Sequence, residues 1–370
     1  MQTMLKRFYF SRLALTLLPA IAIVAGCSAM GGRQSMIPGS PQFNAAAQQN
    51  GGFNGKGDVL IADQWNNRII EVDKHHHIVW QFGDGSAKAS PTSVVGPNEA
   101  ERYGDLTLIA GTGLPPGTIP ACSKKACQDN RVIVVNKAGK IVWQYGKTGI
   151  PGSKPGLLNA PVGAVHLANG DVLVTDQGNQ RVIEISMSKH IVWQYGTTGK
   201  SGAGPNQLND PNSAEMLSNG DVLIADESNN RAIEVTSAGK IVWQYGKPKN
   251  TKLLNGVGFA SRLPNGNTLL TDSGHSRIVE VSMSGSVMWT FLTNKQAGSI
   301  KSPEPSHAVR LKNGNTLISN QIDNNVVEVD STGKIVWQQG KVAIQGTKFD
   351  ELNWPYDAKK IGDFTGLTPP

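Results

Sequence analysis

One phrase recurs along this chain of 370 residues and limits what it can build. Lys140-Ile141-Val142-Trp143-Gln144-Tyr145-Gly146 returns almost letter for letter at residues 191–196, 240–246 and 334–340, and looser copies end at Gly83 and run through Trp289. The anchoring tryptophans, Trp80, Trp143, Trp193, Trp243, Trp289 and Trp337, stand 63, 50, 50, 46 and 48 residues apart, which gives six units and one insertion. A fixed period of this length means that each unit buries its apolar face only against its neighbours.

Within the unit centred on Trp243 the pattern gives four strands. Residues 213–217 alternate, Asn219-Gly220 turns the chain, and residues 222–225 form a second strand. A polar loop covers residues 226–231, residues 232–235 form a third strand, Ala238-Gly239 turns again, and residues 241–245 form the fourth. Equivalent pairs at Asn169-Gly170, Asn265-Gly266 and Asn313-Gly314 predict tight hairpins with positive φ at both central residues. Period-two alternation excludes helical solenoids. Four short antiparallel strands per unit predict an all-β, six-bladed β-propeller of four-stranded blades. A tryptophan required in every blade reads as an apolar plug between blades, not as a cofactor-stacking residue.

The first recognisable unit begins at its second strand, within residues 57–63. Its missing first strand is found at the other end, where Leu352-Asn353-Trp354-Pro355-Tyr356-Asp357-Ala358 matches Leu208-Asn209-Asp210-Pro211-Asn212-Ser213-Ala214. The C-terminal strand is therefore expected to complete the N-terminal blade, which removes two open sheet edges. The propeller is expected over residues 54–370.

Residues 211–246, with the loop at 226–231 and the turn Gly239-Lys240, resemble NHL repeats, and the similarity spans residues 57–361. The Trp-Gln-Tyr-Gly strand ends are similar to those of quinoprotein-type and arylsulfotransferase-like propellers. The resemblance implies the fold and little chemistry, because enzymes, scaffolds and binding proteins share it.

Functional groups of a propeller gather where the innermost strands begin. Aligning the units on Ala100, Ala164, Ala214, Ala260, Ala308 and Ala358 gives a ring formed by Glu99, Gly163, Ser213, Phe259, His307 and Asp357. His307, Asp357 and Glu99 come from three consecutive blades, with Asn98 and Asn212 close by. Such a set can hold one divalent metal ion in the central channel, or act as an acid and base pair. The alternative is that these side chains face solvent or bridge the blades. His75-His76-His77 falls where other units have Ala-Gly-Lys and reads as a solvated turn; His166 lies within an inner strand and reads as packing. Asp63 with Arg68, Asp176 with Arg181, Asp226 with Arg231 and Asp272 with Arg277 recur at one place per unit, which argues for a structural ion pair.

The insertion lies between Ala110 and Asn130, in a second-to-third-strand loop, and should project onto the face that carries the ring. It holds Cys122 and Cys127, read as a disulfide closing a short loop in an oxidising compartment. Trp65, in the neighbouring blade's loop, is expected to offer an exposed aromatic beside it. No Lys-Ser/Thr follows the glycines of the insertion, so it is not a phosphate-binding loop.

At the N-terminus, Lys6, Arg7 and Arg12 precede an apolar run from Leu13 to Val24, then Val24-Ala25-Gly26-Cys27. This order is that of an export signal. It resembles a bacterial lipobox, which implies cleavage before Cys27 and lipid on its thiol; an ordinary secretory signal cut near Ala29 is the alternative. Residues 28–53 read as a flexible tether. The formal charge of +7 falls to +4 once the three N-terminal cations are removed. The remaining cations are scattered among acids, which gives nucleic-acid binding no support.

Two functions fit. The first is a membrane-anchored lipoprotein of the bacterial cell envelope, facing the periplasm or exterior, that binds a protein or small-molecule ligand on the face carrying the insertion. The second is an enzyme at the channel mouth: a metal-dependent lactonase or lyase using Glu99, His307 and Asp357, or an arylsulfotransferase-like enzyme, for which His307 and Arg310 make a thin basic cluster. A deep polar funnel over the three side chains favours the enzyme, and a flat or plugged face favours the binding module. No nucleophile elbow or zinc helix motif appears.

Overall fold

The computed structural model describes residues 52–363. The export signal, Cys27 and most of the expected tether lie outside the described residues. Six four-stranded antiparallel sheets make up the described chain. Blade 1 pairs Pro355–Lys360 with Val59–Asp63, followed by Arg68–Val72 and Ile78–Phe82, so the last strand joins the first blade as expected. The innermost strands of blades 2 to 6 are Pro97–Tyr103, Pro161–His166, Pro211–Met216, Val257–Arg262 and Pro305–Arg310. Each inner strand touches the next, and Pro305–Arg310 touches Pro355–Lys360, so the ring is closed.

The core consists of layers between blades. Leu108, Val134 and Tyr145 of blade 2 pack on Leu158, Val174 and Ile183 before and within blade 3, and five similar clusters repeat around the ring. The tryptophans do act as plugs. Trp80, Trp143, Trp193, Trp243 and Trp289 each donate an indole N–H, at 2.9–3.2 Å, to a carbonyl in the next blade's third-to-fourth-strand hairpin. That hydrogen bond satisfies the one polar atom of an indole that is buried at Trp80 and Trp143 and half-buried at Trp193, Trp243 and Trp289. Trp337 differs, because the histidine turn stands where its partner would be: His76 stacks on it at 5.8 Å and 11°. The turn read as solvated is therefore half in the blade 6 to blade 1 seam.

The Asn-Gly hairpins need a correction. Gly170, Gly220, Gly266 and Gly314 have φ between +84° and +89°, or +83° for Gly220, but the preceding asparagines do not share it. These asparagines instead accept, through Oδ1, the backbone N–H two residues on, at 2.9–3.0 Å. The turn needs left-handed backbone at one position, and the asparagine is there for its side chain.

The recurrent Asp–Arg pair is structural, as expected. Asp226 accepts Nε of Arg231 at 2.7 Å and Nδ2 of Asn229 at 2.8 Å, both buried, and the N–H of Asn209 at 2.7 Å. The next residue in the loop, Asn230, accepts the N–H of Gly256 at 2.9 Å, where the following inner strand begins. Asn67, Asn130, Gln180 and Asn324 make the same latch to Gly96, Ala160, Asp210 and Trp354. One loop thus ties its own strands and the entry to the next blade.

Candidate functional site

Every inner strand carries a bulge just before its ring residue; the register shifts between Pro97 and Glu99, Pro211 and Ser213, and Pro305 and His307. A bulge sets two residues against one and re-aims their side chains. It turns two successive levels of each inner strand toward the axis. The upper level holds Asn98, Asn212 and Tyr356, the next holds Glu99, His307 and Asp357, and two residues further on come Glu101, Glu215 and Lys359.

The structure brings Glu99, His307 and Asp357 together. One ligand atom from each lies within 4.8 Å of the others. All are buried, and His307 Nδ1 stands 3.1 Å from Asp357 Oδ1 without hydrogen-bond alignment. His307 also packs on Phe259, with ring centroids 3.9 Å apart.

A fourth member, which the sequence reading missed, sits among them. Lys359 Nζ lies 2.8 Å from Glu99 Oε1, 2.9 Å from Asp357 Oδ2 and 3.2 Å from the Ala100 carbonyl. The remaining carboxylate oxygen of Glu99 accepts the Ala164 N–H at 2.9 Å, and Asp357 Oδ2 accepts the Ala100 N–H at 3.0 Å. Each acid therefore stitches its strand to the next blade. Gly163 belongs to this arrangement, since a Cβ there would fall 2.9 Å from Glu99 Oε2. The ammonium supplies one positive charge where a metal ion would lie, and the donor set is largely spent on it. A divalent cation fits only if Lys359 withdraws.

Burial and neighbours set the charge states. His307 is held well below its ordinary value, first by burial and then by the Lys359 ammonium, so the ring is neutral. Burial raises Asp357, against the pull of Lys359. Lys359 itself is raised, because the nearby carboxylates outweigh its burial. One level deeper, burial pushes Glu101 up to about 8, although its Oε2 accepts the His166 N–H at 2.7 Å. Glu215 is raised well above the usual range by burial.

Above the cluster the mouth is closed. The Tyr356 hydroxyl reaches from blade 1 across to blade 4 and donates to Asn212 Oδ1 at 2.8 Å, while Asn212 Nδ2 donates to Glu227 at 2.9 Å. Gln64 donates to Asn98 Oδ1 at 2.6 Å and accepts from Gln321 at 3.3 Å. Asn98 and Asn212 are thus parts of a lid of side chains. Trp65 is not the exposed aromatic expected: it is half-buried and stacks on Trp354 at 3.8 Å and 10°. His166 packs as expected, under Tyr103 at 4.0 Å. Arg310 points away from the cluster, to Glu280 of blade 5 at 2.9 Å, so no second basic group joins His307.

The insertion lies on the mouth face. Cys122 and Cys127 are bonded. Leu114 and Cys122 pack on Val95 and Ala89 of the connection from blade 1, with Ile119 and Trp65 against them. Lys124 and Lys125 are exposed at its tip. The insertion also moved one residue of the loop motif. Gly111 stands where four other blades have the motif aspartate and blade 6 has Asn320, and Asp129, on the far side of the loop, places its carboxylate where a Cβ of residue 111 would be, 2.7 Å away. Asp129 binds Arg131 at 2.5 Å and Val95 N–H at 2.7 Å.

Comparison with known proteins agrees with this architecture. A family model described as outer membrane protein assembly factor BamB matches residues 128–291. No curated protein sequence matches the chain. Among solved structures, a protein of unknown function from Bacteroides caccae aligns with TM-score 0.55 and 17% identity over 77% of this chain and 93% of its own. A nidogen–laminin complex aligns with TM-score 0.52 and 11% identity over 85% and 99%. A streptogramin B lyase aligns with TM-score 0.50 and 15% identity over 79% and 80%. At these identities the likeness is one of fold: the chain is a six-bladed β-propeller.

Proposed function

We propose that this chain is an exported, lipid-anchored β-propeller that acts as a binding or scaffold module in the cell envelope, with the insertion-bearing mouth as its contact face. The observation that carries the reading is the closed mouth. Tyr356, Asn212, Gln64 and Asn98 bond to one another over a buried cluster whose acids are already committed to Lys359 and to neighbouring backbone. These bonds within the rim and the cluster give the mouth face the rigidity that a binding surface needs. The disulfide-pinned loop, with two exposed lysines, offers recognition chemistry on that rigid base. The match to a BamB family model supports an envelope role, and Val24-Ala25-Gly26-Cys27 supports the anchor.

The test is crosslinking in intact envelopes. Wild type and a variant carrying Lys124→Glu and Lys125→Glu are compared, with mass spectrometry of the mature N-terminus for lipid on Cys27. Loss of the crosslinked species in the variant is expected. Unchanged crosslinking, or an unmodified Cys27, sinks the corresponding half of the proposal.

The metal-dependent enzyme stays as a second reading because Glu99, His307 and Asp357 do converge within 4.8 Å. It requires metal bound in a one-to-one ratio to the mature protein and lost in His307→Ala. A wild type free of tightly bound metal leaves the binding reading alone.

A further inference from the structure

On the face opposite the mouth, three blade seams carry one shared unit. The last residue but one of an inner strand, or its last, is an arginine lying over the previous blade's outer-strand tryptophan and paired with that blade's third-strand glutamate. Arg102 lies 4.7 Å above Trp80 and 2.9 Å from Glu71. Arg262 lies 5.0 Å above Trp243 and 2.7 Å from Glu234. Arg310 lies 4.9 Å above Trp289 and 2.9 Å from Glu280.

The three differ in what covers them. At the first, the chain's own lead-in supplies Phe53, whose ring sits 3.8 Å under the Arg102 guanidinium and edge-on to Trp80 at 5.7 Å and 66°. The lead-in is fixed there by Asn54 to the Gly104 carbonyl and by Gly55 N–H to Glu71. With Phe53 in place, the Arg102 side chain is 2% exposed and Trp80 1%. Without such a ring, the Arg262 and Arg310 side chains keep 15% and 17% exposure, and Trp243 and Trp289 are only half-buried. At Arg262 the Met283 sulfur already lies against the guanidinium. Val287 and Met288, which precede Trp289 in its strand, are exposed.

We propose that the Arg310–Trp289–Glu280 unit is a docking slot for an aromatic side chain carried on an extended segment of a partner protein. The chain itself shows what the unit accepts, because Phe53 occupies the equivalent place one blade seam before the insertion. The ring gains a cation–π face from arginine and an edge contact with indole, both stronger once water is displaced. Glu280 holds the guanidinium flat over the tryptophan, as Glu71 does at Trp80. The inference deepens the binding reading by naming a partner chemistry, and it fails separately, because the slot and the insertion lie on opposite faces.

The probe is the free peptide of residues 51–55, titrated into the ¹⁵N-labelled full chain and read at the indole N–H resonances. A saturable shift of Trp289 is expected, with no shift from the same peptide carrying alanine in place of Phe53. Arg310→Lys, which keeps the charge beside Glu280 but removes the planar face, should weaken binding about tenfold. Phe53→Ala opens the first unit, so Trp80 should respond as well. A silent Trp289 in a protein whose Trp80 responds after Phe53→Ala overturns the proposal. Self-association that depends on Phe53 and shifts Trp289 without peptide also overturns it, since the occupant is then a second copy.

Discussion

Lys359 decides what the buried cluster can do. Replacing it with methionine leaves Glu99 and Asp357 buried without their counter-charge, and stability should fall by about 3–5 kcal/mol in chemical denaturation. Adding Glu99→Gln and Asp357→Asn to Lys359→Met should recover most of that loss; no recovery means that the lysine acts by packing alone. Glu215 gives a pH signature. Its folded pKa is raised well above 4.5 by burial, so the folded state keeps a proton that the unfolded chain gives up. Its contribution is complete below the unfolded value and is lost as pH rises through the folded one. Relative to Glu215→Gln, the wild type should lose melting temperature as pH rises above the ordinary glutamate value of 4.5. Equal slopes for the two proteins contradict this. Of these residues, the ring of Glu99, His307 and Asp357 was legible in the sequence from the repeat alignment alone. Lys359 was legible in principle, standing two positions after Asp357 and so on the same strand face. Tyr356 was not, because only the bulge turns it inward.

Among the elements, the strands were readable because each unit repeats the same alternation, and the turns only partly so. An Asn-Gly pair signals a hairpin in either geometry, and the sequence does not distinguish a turn that needs two left-handed residues from one that needs Gly220 alone. The motif aspartate of blade 2 was hidden for a similar reason. The 110–130 insertion separates Gly111 from Asp129, and nothing along the chain announces that one takes over the other's space. Asp129→Ala should therefore free Arg131 and the Val95 N–H together, at a cost of about 3 kcal/mol. Gly111→Asp in that variant rebuilds the arrangement of blades 1, 3, 4 and 5, as where Asp226 faces Pro211, and should restore part of the melting temperature. If it restores none, the equivalence drawn between the two carboxylates is wrong.

At the scale of the molecule, removing residues 352–370 takes the inner strand from blade 1, the acid Asp357 and the counter-ion Lys359 in one step. The truncated chain should aggregate or lose its cooperative transition in calorimetry; an unchanged transition contradicts the closed ring. Blade 1 differs from the other five in one respect, that its sheet is assembled from both ends of the described chain, with Val59 opposite Lys360. Pairing across almost the entire polypeptide is slow, since a very long loop must close before any contact rewards it. A chain that emerges from a membrane pore amino end first would hold Val59–Asp63 ready, with one side of its backbone unpaired, until Pro355–Lys360 has passed through. For that interval the strand is an open template for any other extended segment, so on such a route the moment of greatest hazard comes just before Pro355–Lys360 becomes free to pair with it.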